Sequence, residues 1–505
     1  MPKAARQALT PARLRLLGLA GSVLLACAAL ADGALTIQDQ QQRGSLGWLR
    51  VTIGIVLGYA GLALLVGAWL GVGRLLRGDG GPDLRWLRTT LVAWAVPVAL
   101  VPPLFSRDVY AYAAQGDLLA HGMNPYAHGP ADLPSRWAGS VSPVWRHAKA
   151  PYGPLFMVLA RGAAQLSGGR LWLAIGGLRL VAVAGVVVLA VAVPRLAAAL
   201  GTRPTTAFWL GVLNPLVLGH LVGGAHAEAL MAGLMVAGLA VAARGRPAAG
   251  AALVALAVMV KAPAVLALPF LAVLWASSPR RDGREPASRA LARAVGGTAL
   301  VAAAVVAAVT AVTGLGFGWV PAMAHSGASQ QWTSVSTGLG MAVGYASHLL
   351  GGDWTHPAIT VTRTAGTALA AAVVAALWVR AARAGGDIRR VVGLLGTAMA
   401  VVVVLSPVVQ IWYLLWFLVL LAPAAWGERA LTAVSAIAAL VTLPDGYNLA
   451  RITGRVGAPF DVAVVAAAAA RLLRRGRDRI RLPGRASPRT ARPATAADRS
   501  PPPRG

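Results

Sequence analysis

Runs of roughly eighteen or more apolar residues recur along most of this chain, and each is long enough to cross a bilayer as a helix. Nothing constrains the fold more. Hydrocarbon offers the backbone no hydrogen-bond partners, so a spanning segment must satisfy its own, as a helix or in a closed barrel. The continuous, non-alternating character of the runs selects helices. Composition agrees: 57% of the 505 residues are hydrophobic and 12% are charged, where a soluble chain carries roughly a quarter charged residues. The expected fold class is an all-α polytopic membrane protein with about 12–15 spans.

A net charge of +29 would suit a nucleic-acid partner, but its distribution does not. The segment from Arg471 onward holds eleven arginines and two aspartates, and Lys3, Arg6, Arg13 and Arg15 lie at the other end. Basic clusters also recur in short connections such as "GRLLRGDGGPDLRWLR", "SSPRRDGREPASRALAR" and "RAARAGGDIRR". That is the positive-inside pattern, so nucleic acid is excluded as a partner and membrane lipid is expected. Both termini are expected to be cytoplasmic. Residues 1–473 read as the membrane domain and 474–505 as a disordered Arg/Pro-rich tail. The single cysteine, Cys27, rules out a disulfide or a cysteine metal site within one chain.

The outward segment 106–154 is the least membrane-like part of the interior, with six prolines and three histidines. Long ordered loops are usually functional. Its start, "RDVYAYAAQGDLLAHGMNPY", reads as a short amphipathic helix lying on the membrane surface. In it Asp108, Tyr112 and Gln115 share one face, Gly122 stops the helix, and Asn124-Pro125 turns the chain. Asp108 follows an apolar run directly, and a carboxylate at such a boundary can act as a general base. It can equally be a plain helix-end charge.

Lysine is scarce: Lys3, Lys149 and Lys261 are the whole supply. Lys261 interrupts "ALVALAVMVKAPAVLALPF", and an ionisable residue inside an apolar run is a functional candidate, with interfacial snorkelling as its plain alternative. With Arg146 and Lys149 it is a candidate for binding a phosphate. In "GGAHAEALM", His226 and Glu228 sit at the start of an apolar helix, as sugar-hydroxyl contacts or as an ordinary cap. Trp332, Gln410, Trp412 and Tyr413 fall at outer edges, where aromatic residues either line a sugar site or belong to the interface belt. No P-loop, dinucleotide fingerprint, HExxH or second acid beside Asp108 is present. No cofactor is implied, and a divalent metal is left open.

"SRDVYAYAAQGDLLAHGMNPY", "KAPYGPLF", "GGAHAEALM", "KAPAVLALPF" and "SPVVQIWYLLW", in this order, resemble the GT-C membrane glycosyltransferases. The similarity is greatest to the actinobacterial polyprenol-phosphate-mannose-dependent α-1,6-mannosyltransferases. The resemblance implies a GT-C helical bundle with an essential acid in the first large outward loop, here Asp108. It implies a polyprenyl-phosphate-mannose donor, a mannan or glycolipid acceptor, and inverting transfer on the outer face of the cytoplasmic membrane. Lys261, Arg146 and Lys149 would then hold the donor phosphate. Tyr112, Asn124, Tyr126, Tyr152, His226, Glu228, Trp332, Gln410, Trp412 and Tyr413 would contact sugar or acceptor. The chain departs from the pattern at Ala227, which separates His226 from Glu228 where an Asn-acid pair is expected. An arabinofuranosyl- or protein O-mannosyl-transferase, or a transporter of a polyprenyl-linked sugar, are the alternatives.

Overall fold

The apolar runs fold as helices, and where a Gly, Pro or charged residue interrupts them the helices break. A computed structural model describes residues 10–36, 44–78, 80–134, 136–277, 286–324, 330–384 and 386–480. Among these no strand occurs, only one isolated antiparallel bridge between Thr442 and Asn448. The chain opens with α1 (Pro11–Asp32), α2 (Gly47–Leu76) and α3 (Leu84–Ala99). The 106–154 segment contains α4 (Asp108–Ala120), and α5 (Pro154–Leu166) leads to α6 (Leu171–Ala199) and α7 (Pro204–Gly211). Then come α8 (Glu228–Ala242), α9 (Pro247–Val260), α10 (Ala267–Ala276) and α11 (Ala287–Thr313). The last part comprises α12 (Val335–Leu349), α13 (Thr355–Ala382), α14 (Ile388–Leu405), α15 (Leu414–Ala424), α16 (Glu428–Ala438) and α17 (Gly454–Ile480).

Six of these helices (α1, α2, α6, α11, α13 and α14) are long and apolar enough to cross a membrane, and a seventh span is broken. That seventh pairs the wide-turned stretch Val217–Gly223 with α8 at a 113° bend. Several expected spans resolve instead into shorter apolar helices: α5, α9, and the runs that include α10 and α15. Between residues 154 and 199 the chain forms two helices, α5 and α6. α17 continues to Ile480, past the boundary drawn at residue 473, and residues 481–505 of the expected tail lie outside the described residues.

Small residues let these helices approach closely, as lipid-embedded packing requires. α8 and α9 cross where Gly238 and Gly250 face each other, and a Cβ on Gly238 would stand 2.6 Å from the Gly250 carbonyl. Deeper in the bundle Trp69 and Trp209 stack at 5.0 Å. Each indole N–H donates to the other's carbonyl, at 3.0 and 2.8 Å, so two large rings are buried with their polar atoms satisfied.

α4 is not the surface helix the sequence predicts. Every residue from Val109 to Leu118 is buried, and α4 packs along α5, with Gly116 admitting the Ala160 carbonyl. Its period-3.6 polar face is real, but that face looks into the protein. The stop signal does hold. Gly122 adopts φ 79°, and the Met123 and Gly122 N–H groups donate back to the Leu118 and Leu119 carbonyls.

Candidate active site

Three breaks in regular structure converge here. The first precedes α4, where Phe105 takes φ 62° three residues before Asp108. The second precedes α8, where Ala225 takes φ 54° next to His226. Left-handed conformations cost a non-glycine residue on the order of 1 kcal/mol or more and persist where surrounding structure holds them. Arg179 of α6 supplies part of that hold. Its buried guanidinium donates to the carbonyls of Ala99 and Val101 and to that of Gly223, joining the approach to Asp108 to the approach to His226. The third break ends α9 at Lys261, whose backbone turns extended (φ −155°, ψ 133°) ahead of Pro263. The Gly153 N–H donates to Val260 O at 3.1 Å and a Cβ at Gly153 would collide with Met259, so the loop's return is seated on this break.

These segments enclose a cavity of about 380 Å³. Asp108, Tyr112 and Gln115 line it from α4, Lys149 and Tyr152 from the returning loop, Lys261 from the break, and Gln410 and Tyr413 from the entry to α15. Its other walls are largely apolar, including Pro263, Met323, Val408 and Trp416. The Gln115 side-chain oxygen and the Trp416 indole N–H are buried here without a partner.

Asp108 sits in the first turn of α4, its N–H bonded to Ser106 Oγ at 3.1 Å. Burial raises its carboxyl from 3.8 to about 6, with the Glu228 charge pushing the same way. Lys261 and hydrogen bonds from Trp145 and Ser106 pull it back only in part. A carboxylate titrating near 6 is basic enough to take a proton from a hydroxyl in a transition state and still ionised at neutral pH.

The Lys261 ammonium is ion-paired to Glu228 and surrounded by rings, with Tyr413, Tyr152 and Trp416 centroids at 4.9, 5.4 and 5.7 Å. Glu228 is fully buried beneath it and does not line the cavity. Its role here is that of counter-ion, which keeps a cation at the cavity wall at a tolerable cost. His226 lies in the same layer. Its Nδ1 is 3.2 Å from the Tyr112 hydroxyl, and its ring stacks on Trp412 at 3.9 Å. His226 therefore orients Tyr112, which lines this cavity, and supports Trp412, which does not, rather than facing the cavity itself.

The remaining expected residues stand farther off. Arg146 donates to the carbonyls of Val141 and Gly139, bracing its own loop. Asn124 accepts from the Tyr126 N–H at the turn, and Tyr126 donates to Tyr152 O from behind the wall. Trp332 bonds Thr453 and packs on α17. Sequence reasoning did not single out Trp145, Gln115 as an unpartnered acceptor, or Arg179. Among the described residues no group of three or more His, Cys, Asp or Glu is placed to hold a metal.

Fold and site together define a polytopic helical membrane protein with an acid and a caged cation facing one cavity. Comparison with known proteins gives the family. Residues 15–277 match the family described as Alpha-(1->6)-mannopyranosyltransferase, N-terminal domain, and residues 336–474 match the MptB C-terminal domain. The chain is 38% identical over 451 residues to Alpha-(1->6)-mannopyranosyltransferase A of Mycobacterium tuberculosis, covering 87% of this chain and 85% of that one. It is 32% identical to Alpha-(1->6)-mannopyranosyltransferase B of Corynebacterium glutamicum, covering 86% and 77%. The chain belongs to the α-(1→6)-mannopyranosyltransferase family and is a membrane glycosyltransferase. No solved structure matches it.

Proposed function

We propose that this enzyme moves mannose from polyprenyl-phosphate-mannose to an α-1,6-linked mannan acceptor at the outer face of the cytoplasmic membrane. The observation carrying this reading is one cavity that both Asp108 and the caged Lys261 line, between largely apolar walls. A lipid monophosphate sugar needs those three things together. The prenyl chain needs apolar surface, the departing phosphate a fixed cation, and the acceptor a base. Family membership supports the sugar and the linkage.

In the proposed reaction Asp108 accepts the proton of the acceptor hydroxyl as its oxygen attacks the anomeric carbon. The bond from that carbon to the phosphate oxygen breaks, and its electron pair leaves with polyprenyl phosphate. Lys261 stabilises the departing charge, with Lys149 at the rim, and both act electrostatically without reorganising. One displacement inverts the centre, so a β-linked donor gives an α-linked product. Tyr112, Tyr152, Gln410 and Tyr413 line the sugar's place, while His226 and Glu228 hold Tyr112, Trp412 and Lys261 in position.

The test is transfer of radiolabelled mannose from polyprenyl-phosphate-mannose to a short α-1,6-mannoside, in membranes carrying wild type or Asp108→Asn at equal expression. Loss of a general base costs about 10²- to 10⁴-fold. A drop of that size supports the reading. Equal transfer by both proteins removes Asp108 from the chemistry, and transfer by neither removes the donor.

A further inference from the structure

Asp108 borders a second cavity, of about 150 Å³, which shares Trp145 and Gln410 with the larger one and otherwise has its own walls. We propose that this smaller cavity is the acceptor subsite and holds the terminal pyranose of the glycan, with its attacking hydroxyl at Asp108. The proposal rests on the transfer reading above and specifies where the acceptor enters.

Its far wall is the turn between α16 and α17. There Leu443 N–H donates to Tyr447 O and Leu449 N–H to Val441 O, around the Thr442–Asn448 bridge. The turn is fixed against the approach to Asp108. Phe105 N–H donates to Pro444 O at 3.0 Å, and Gly446, at φ 88°, lies so near Ser106 that a Cβ would stand 3.1 Å from its backbone. The Asn448 amide in turn bonds Gln331 at 3.2 Å. The cavity is thus built from five separate stretches of the chain, around residues 105–108, 142–145, 331, 410–412 and 442–448.

The lining chemistry selects the occupant. Arg107 Nε and Thr442 Oγ1 are buried without a hydrogen-bond partner, and Thr442 is 3% exposed. Asp445, Gln331 and Asn448 add acceptors and amide donors, and Trp412 an aromatic wall. An apolar chain would leave those polar atoms unpaired at a cost. A phosphate would face the carboxylates of both Asp108 and Asp445. A neutral ring of hydroxyls, each donor and acceptor at once, satisfies the mixed set. The two cavities therefore divide the substrates: apolar walls and a lysine for the lipid phosphate, mixed polar walls for the glycan. Asp108 is the one acid that borders both.

The experiment measures binding of α-1,6-mannobioside, without donor, to the purified full-length enzyme by saturation-transfer NMR. Variants are Asp445→Asn, whose amide oxygen can still accept from the Tyr447 N–H as the Asp445 carboxylate does, and Thr442→Val, which is nearly isosteric. Each is expected to raise the mannobioside Kd about tenfold, the loss of one hydrogen-bonded contact, while leaving the donor KM unchanged. Lys149→Gln, at the rim of the other cavity, is expected to do the reverse. An unchanged mannobioside Kd in both variants, a wild type that does not bind the disaccharide, or a shift in donor KM instead would each overturn the subsite. Transfer by the wild type, assayed in the same preparation, reads the function separately. Its absence would refute the donor assignment while the binding arm still decides the subsite.

Discussion

A carboxyl that keeps its proton up to about 6 makes Asp108 costly to fold and useful afterwards. The unfolded group releases its proton near 3.8, so between those values the folded protein binds the extra proton and gains stability as pH falls. Above about 6 the full penalty of the buried charge is present. Asp108→Asn is therefore expected to raise the apparent Tm at pH 8, with the gain shrinking below pH 6 and gone near pH 4. In the wild type kcat/KM should fall on the acid side with a limb near 6. A variant no more stable at pH 8 than wild type would count against the penalty. The Lys261–Glu228 pair has a different signature. Removing one partner strands a buried charge and costs about 3–5 kcal/mol, whereas replacing both is close to neutral. Lys261→Met and Glu228→Gln should each lower the Tm sharply, and the double variant should recover stability without recovering transfer. Asp108 and Lys261 were legible in sequence because each is an ion at an apolar boundary. That Glu228 serves Lys261 was not, since the two are 33 residues apart and meet only because two helices break at the same place.

Breaks, more than helices, are what build this site. The sequence announces several of them: the Gly122 stop, the Asn124-Pro125 turn, and the interruption at Lys261 and Pro263. It does not announce what a helix faces, and α4 shows why. A polar stripe every 3.6 residues is the same pattern whether it meets water, headgroups or a cavity, and only packing against α5 decides. Nor does sequence disclose Arg179, which reads as an awkward charge in an apolar span. In the fold its planar fork gathers carbonyls from two broken segments, a task a single ammonium does poorly. Arg179→Leu leaves those buried acceptors unpaired, at about 1–3 kcal/mol apiece, and is expected to lower both the Tm and transfer. Arg179→Lys should fall between. Wild-type melting in the leucine variant would mean that water or neighbouring groups already satisfy the carbonyls.

The two ends of the bundle differ in charge, and that difference predicts an orientation. At one end Arg77 pairs with Glu428 at 2.9 Å, Arg389 donates to Ala424 O, Arg244 reaches the Arg195 carbonyl, and Arg15 lies 4.5 Å from the Trp86 ring. The site lies at the other end, where α1, α3 and α14 finish and α2, α8 and α15 begin. Arginine-rich short loops stay in the cytoplasm, so the cavity should open outward. The check uses a Cys27→Ala background carrying one new cysteine, at exposed His128 in the site-end loop or at exposed Arg246 between α8 and α9. An impermeant maleimide on intact cells should label His128→Cys at once and Arg246→Cys only after permeabilisation. The opposite pattern would place the cavity in the cytoplasm, within reach of soluble nucleotide sugars. A lipid-carried donor would then lose its rationale, because a lipid carrier is needed only where nucleotide sugars are absent.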